Sequence, residues 1–145
     1  MANRFDTDSK YQERSQPSDM LADCGIGVDH IEAARAIYSA RRQRDFHFDG
    51  LGLFGDPAWD IMLALLIDRA EGKSTCLTSA CIASYVPQTT AIRWIDKLVA
   101  MNLLSRSGDP QDGRRSLLSL TPEACMRLAL ALSTSGRQPL NRRLS

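Results

Sequence analysis

The sequence predicts a mainly α-helical fold that contains one small β-hairpin, with further helices before and after the hairpin. Apolar residues recur at spacings of three and four in several segments, and proline, glycine or asparagine separates these segments. A dense turn sequence, GDPQDG, lies between two short apolar runs and is typical of a hairpin. The 145 residues are enough to bury a core, so we expect one domain with loose ends.

The first predicted helix runs from Val28 to about Arg44. Its narrow apolar stripe is formed by Ile31, Ala34, Ile37 and Tyr38. Such a helix either packs on the core of its own chain or contacts a second copy. The last turns carry Arg41, Arg42 and Arg44, which suit the helix dipole and are expected to form a solvated helix end rather than phosphate contacts.

A glycine-rich connection and a second helix follow. Residues 46–54 include several large apolar side chains and are expected to pack as a covered loop, with His47 in a structural role. Asp56 and Pro57 are a strong helix start, because aspartate is a favoured capping residue and proline fits the first helical position. This helix continues to Gly72 and has little polar surface in its middle, which predicts the central, most buried helix.

The next two helices are short and separated by a break. Residues 78–85 include many small side chains and predict a short helix that another helix can approach closely. Pro87 disfavours helical geometry at Val86 but is accommodated at the start of the following helix, which extends to about Met101. The core side of this helix is formed by Ala91, Ile95 and Leu98, and its polar side by Gln88, Thr89, Thr90, Arg93 and Lys97. The pair is a candidate helix-turn-helix.

The hairpin comes directly after this pair. Asn102 tolerates the left-handed conformation of a helix end, and residues 103–106 and 116–120 predict two strands around the turn at 108–113. Residues 73–77 are a connection that can form a small strand. Thr121 and Pro122 then open a last helix, which Gly136 ends before a basic tail.

Composition excludes several classes of protein. The net charge is only +1, so any affinity for nucleic acid must come from local placement of charge. No apolar run is long enough to span a membrane, and the N-terminus does not resemble a signal peptide, so a cytoplasmic protein is expected. The cysteines (Cys24, Cys76, Cys81 and Cys125) form no zinc pattern and are expected to be buried residues. No catalytic constellation or cofactor motif is present, so we expect no enzyme, cofactor or metal site.

Three motifs lie in order between Ile92 and Thr121, and their spacing matches a known family pattern without an insertion or deletion. They are IRWIDKL at 92–98, DPQDGR at 109–114 and Leu120-Thr121. Their order and spacing resemble the MarR family (multiple-antibiotic-resistance regulators), and the resemblance covers residues 56–124. It implies a winged helix-turn-helix transcription factor that works as a homodimer. The family's long C-terminal dimer helices are abbreviated here, so pairing is expected to rest more on the helix from Val28 to Arg44.

The resemblance and the helical spacing together imply a double-stranded DNA-binding regulator acting on a palindromic site. The helix from Pro87 is expected to enter the major groove, and an arginine of the hairpin, or wing, the minor groove. Asp112 is expected to hold the wing turn in shape. The expected DNA-binding residues are Gln88, Thr89, Thr90, Arg93, Lys97, Arg106, Asp112, Arg114 and Arg115.

The expected organisation has four parts. Residues 1–26 are a flexible arm, 27–54 a helix and connection that serve dimerisation, 55–121 the DNA-binding domain, and 122–145 a C-terminal helix and basic tail. A small-molecule effector is possible for a member of such a family, but no polar constellation identifies it.

Two alternatives remain open at the level of sequence. The first is a winged-helix module for protein contacts, for which Ile92 and Trp94 on the second short helix are the argument. The second is a redox-responsive regulator that uses Cys24 or Cys76, since thiolates are favoured at a helix N-terminus. The candidate DNA-binding arginines also have explanations that involve no DNA. Arg93 can form a surface ion pair, and Arg114 and Arg115 can lie at a solvated hairpin tip.

Overall fold

The computed structural model describes residues 24–133, which form five helices and three short strands. The helices are α1 (Val28–His47), α2 (Pro57–Ala70), α3 (Leu77–Ala83), α4 (Gln88–Ala100) and α5 (Pro122–Ser133). The strands are β1 (Thr75–Cys76), β2 (Leu104–Gly108) and β3 (Ser116–Leu120). This confirms the predicted mainly α fold with a small β wing. The N-terminal arm, except for its last residues, and the basic tail lie outside the described residues.

The three strands form one antiparallel sheet in the order β1–β3–β2. In the hairpin, Leu104 pairs with Leu120 and Arg106 with Leu118. Thr75 pairs with Leu118 from the other side, so the possible small strand at 73–77 is confirmed. Because β3 lies between β1 and β2, the hairpin is attached to the segment that leads into α3.

The core is organised around α2. Its residues Ile61, Leu63 and Leu66 are fully buried, as predicted for the central helix. The side of α4 that carries Ala91 and Ile95 is buried against it, and α5 contributes its buried residues Leu128 and Leu132. The spacing of apolar residues in the sequence therefore predicts these core residues correctly.

Most of the predicted helix caps, but not all of them, are present in the structure. Asn102 has a φ of +58°, and Gly72 a φ of +72°, so both end their helices in the left-handed conformation. The Thr121 side chain accepts a hydrogen bond of 3.1 Å from the Ala124 amide, which is the expected cap of α5. Asp56 precedes α2 as predicted but makes no capping hydrogen bond with its side chain.

The prediction of a covered loop at residues 46–54 is wrong. α1 continues to His47, and the large apolar side chains that follow it are exposed to solvent. Phe46 is 74% exposed, Leu51 62% and Leu53 64%. Alternating apolar and glycine residues indicated burial, but no element of residues 24–133 covers this segment.

The prediction of a solvated arginine end on α1 is also wrong for Arg41 and Arg42. Both guanidinium groups bind Asp60 of α2, a carboxylate that is only 2% exposed. Arg44 binds Asp45 in its own helix and lies 4.4 Å from the centre of the Phe54 ring. The charges that suit the helix dipole are thus also part of the contact between α1 and α2.

Candidate nucleic-acid interface

The candidate site begins at the break between α3 and α4. α3 ends at Ala83, and Tyr85 then adopts a φ of +56°, which is costly for a residue with a large side chain. Pro87 caps α4 in an extended conformation and accepts the amide hydrogen of Ala91 at its carbonyl oxygen, at 2.9 Å. The chain therefore turns within four residues, as expected for a helix-turn-helix.

The outer side of α4 presents polar side chains to solvent. Gln88, Thr89, Arg93 and Lys97 are exposed, and Thr90 is half-buried. Among the described residues Arg93 makes no ion pair, so the interpretation of Arg93 as one half of a surface pair is not supported. A guanidinium group without a partner on an exposed helix face is available to an anion or a base edge.

Lys97 lies further along the same helix and contacts Trp94. Its Nζ atom is 4.9 Å from the centre of the Trp94 ring, which is a cation–π contact. Trp94 and Ile92 are half-buried and pack against the core. The two residues that argued for an apolar recognition surface therefore belong to the packing of α4.

The turn of the hairpin is shaped by two aspartates. Asp112 Oδ1 accepts the Arg114 amide hydrogen at 3.1 Å, and Asp112 O accepts that of Arg115 at 3.0 Å. Asp109 Oδ1 accepts the amide of Gln111 at 2.9 Å. These local bonds fix the turn, and they leave the Arg114 side chain exposed and without an ion pair in residues 24–133.

The other two wing cations are paired. Arg106 of β2 lies 3.7 Å from Asp96 of α4, and both side chains are substantially exposed. Arg115 lies 4.0 Å from Asp109. Exposed pairs of this length contribute little to stability, so both arginines can exchange their partner for a phosphate at low cost.

Arg115 also contacts Cys76, which the structure places at the N-cap of α3. Hydrogen bonds from the Ser79 side chain and from Arg115 lower the pKa of the Cys76 thiol to about 7. The Ser79 oxygen lies 3.2 Å from the sulfur. Burial instead raises the pKa of Cys125 to about 11, so the cysteines differ strongly in their chemistry.

Sequence reasoning missed the residues behind the turn. Asp60, Tyr38 and Tyr85 surround Arg42. The sequence predicts only that Tyr38 lies on the apolar stripe of α1 and that the chain breaks near Tyr85. Asp60 lies among apolar residues of α2, and a carboxylate in such a run is the signal that predicts a buried partner. Neither a membrane-spanning helix nor a cluster of metal ligands is found in residues 24–133.

Residues 72–124 match the family model described as a winged helix DNA-binding domain. This segment contains β1, α3, α4, the hairpin and the start of α5, and it has the fold of a winged helix domain. A comparison with curated proteins found no significant match.

Three solved structures are similar to part of this chain. The PcaV transcriptional regulator from Streptomyces coelicolor, in complex with its natural ligand, is 26% identical, with a TM-score of 0.46 over 66% of this chain and 67% of that one. MepR of S. aureus, in its DNA-binding conformation, is 18% identical, with a TM-score of 0.48 over 69% and 68%. A probable transcriptional regulator from Pseudomonas aeruginosa is 24% identical, with a TM-score of 0.44 over 69% and 70%. PcaV and MepR are MarR-family regulators, and this chain is similar to them.

Proposed function

We propose that the protein is a sequence-specific DNA-binding transcriptional regulator of the MarR type. The observation that carries the proposal is the match of residues 72–124 to a winged helix DNA-binding domain. The exposed polar face of α4 supports it, because side chains such as Gln88 and Arg93 pair with base edges in the major groove. The matched family model is described as a DNA-binding domain, which favours a regulator over an enzyme.

In this proposal the two parts of the site have different roles. α4 lies in the major groove, where Arg93 reads guanine, Gln88 reads adenine, and Thr89 and Thr90 contact phosphate or a thymine methyl group. Arg114 enters the minor groove from the wing, and Asp112 holds its backbone in place. The remaining cations, Lys97, Arg106 and Arg115, contact phosphates.

We further propose that two copies act together on a palindromic site. Residues 46–54 expose several large apolar side chains in a short segment, and such a concentration is typical of a protein interface. The net charge of one DNA-binding unit is small, so two units are needed for tight binding. Residues 55–121 are then the DNA-binding unit, residues 27–54 serve pairing, and residues 122–145 are a C-terminal helix and basic tail.

Selection of bound fragments from a random DNA pool tests the proposal. The expected result is an inverted repeat whose half-sites lie about one helical turn apart, the spacing that a symmetric pair of recognition helices requires. A variant with Gln88, Arg93 and Arg114 all changed to alanine is the matched control and is expected to enrich nothing. A pool from the natural protein without any common sequence contradicts sequence-specific binding.

A further inference from the structure

A buried charge cluster joins α1, α2 and the break between α3 and α4. Asp60 of α2 accepts a hydrogen bond from Arg41 Nε at 2.5 Å and one from Arg42 Nη2 at 2.7 Å. Arg42 Nη2 also lies 3.0 Å from Asp45. Arg41, Arg42, Asp45 and Asp60 therefore pair in a poorly hydrated place, and Arg44 also binds Asp45. Removal of one charge there leaves another without its partner.

Arg42 alone extends this cluster to the helix-turn-helix. Its guanidinium carbon lies 5.0 Å from the centre of the Tyr38 ring and 4.6 Å from that of Tyr85. Its Nη1 atom lies 3.5 Å from the carbonyl oxygen of Ala83, to which the Tyr38 hydroxyl also donates, at 3.1 Å. Arg41 and Arg44 make none of these contacts among the described residues.

The residues that Arg42 contacts are those that set the direction of α4. Ala83 is the last residue of α3, and its carbonyl oxygen has no partner within the helix, so donors from α1 satisfy it. Tyr85 holds the left-handed conformation of the break, and α4 begins three residues later. Stacking on Arg42 offsets part of the cost of that conformation.

We infer that Arg42, held by Asp60, is a positioning residue that fixes the break between α3 and α4 and so tunes DNA affinity without touching DNA. This inference rests on the proposed function for its consequence in binding. Its structural content, the ordering of residues 83–88 by α1, is independent of DNA. α1 would thus connect the segment that serves pairing to the orientation of the recognition helix.

The test compares Arg42→Met with Arg41→Met and Arg44→Met in the full-length protein. Arg41→Met removes an equal charge from the same carboxylate but no contact with the break, and Arg44→Met removes a charge that binds Asp45 but not Asp60. Amide hydrogen exchange is measured without DNA, and DNA affinity by fluorescence anisotropy on the selected duplex, with unfolding midpoints measured for each variant.

Arg42→Met is expected to speed exchange at residues 84–88 and to weaken DNA binding roughly five- to twentyfold, the size of effect seen when a charged hydrogen bond is lost. Arg41→Met is expected to lower the unfolding midpoint without a selective change at residues 84–88, and Arg44→Met to leave binding unchanged. Equal exchange and equal affinity in Arg42→Met and Arg41→Met overturn the inference.

The test also covers a variant that does not fold and a protein that does not bind DNA. If Arg42→Met does not fold, Tyr85→Gly replaces it, because glycine adopts the left-handed conformation freely while the stacked ring is lost. Tyr85→Gly is expected to weaken binding and Tyr85→Phe to retain it; equal affinity in both overturns the inference. If the natural protein binds no DNA, the proposed function fails, and the exchange data still decide whether Arg42 orders the break.

Discussion

The Thr121 hydroxyl donates a hydrogen bond of 2.8 Å to the carbonyl oxygen of Asn102, the residue at which α4 ends. The Oγ1 atom of Thr121 also accepts the amide hydrogen of Ala124, at 3.1 Å. One side chain therefore joins the end of α4 to the start of α5, across the base of the hairpin. This contact sets the position of the wing relative to α4.

Thr121→Val is expected to lower the free energy of unfolding by about 1–2 kcal/mol, because it removes a helix cap and the hydrogen bond to the Asn102 carbonyl oxygen. Urea unfolding followed by circular dichroism measures the change. Thr78→Val, at an exposed position of α3, is the control and is expected to have little effect. Equal midpoints for the two variants contradict this role for Thr121.

Cys76 is expected to react first with iodoacetamide at neutral pH. Its pKa of about 7 leaves about half of the thiol ionised there, and thiolate is the reactive form, whereas Cys81 and Cys125 are buried and have raised pKa values. Mass spectrometry of the alkylated protein across pH measures the rate at each cysteine. Arg115→Ala is expected to shift the Cys76 profile to higher pH. A half-maximal rate near the ordinary pKa of 9 contradicts the assigned contacts.

The same thiol affects stability in a defined direction. The folded protein lowers the pKa of Cys76, so its ionisation contributes stability that is fully present above the ordinary value of 9.0 and is lost as the pH falls through about 7. Cys76→Ser removes this dependence. The unfolding midpoint of the natural protein is therefore expected to rise from pH 7 to pH 9 relative to that of the variant.

Leu51→Glu is expected to weaken self-association by roughly tenfold or more, since a symmetric interface places the change twice and each buried leucine contributes about 1.5–3 kcal/mol. Sedimentation equilibrium measures the monomer–dimer constant. Gln88→Glu adds the same charge at an exposed polar position of α4, outside the pairing segment, and serves as the control. An unchanged constant for Leu51→Glu removes residues 46–54 from the pairing surface.

The winged helix was predictable from the sequence because its signals are local. The spacing of Ala91, Ile95 and Leu98 defines which side of α4 is buried, and the left-handed end at Asn102 follows from the chemistry of that residue. The turn around Asp112 is likewise determined by a few adjacent residues. Each of these features forms within one or two turns of chain.

The errors come from contacts between residues distant in sequence. Arg42 and Asp60 are separated by an entire connection, so nothing in the helical period of α1 shows that its last arginines are half-buried. Leu51 and Leu53 lie in an irregular segment, where apolar composition gives no information about what covers it. The strain at Tyr85 was not predicted either, because it depends on neighbours supplied by α1.

The central claim, that α4 reads bases while the wing arginine supplies affinity, predicts a difference between two variants. Arg93→Ala removes a base contact, and Arg114→Ala a contact with the minor groove, where the negative potential matters more than the base sequence. Both side chains are exposed and make no ion pair in the described part of the chain, so neither change is expected to reduce stability.

Fluorescence anisotropy with the selected duplex and with a scrambled duplex, at several salt concentrations, measures this difference most directly. Arg93→Ala is expected to bind the selected duplex roughly ten- to a hundredfold more weakly, and to lose much less affinity for the scrambled duplex. Arg114→Ala is expected to weaken both alike and to reduce the salt dependence by about one counterion per arginine removed. Unchanged affinity of both variants for both duplexes would contradict the account.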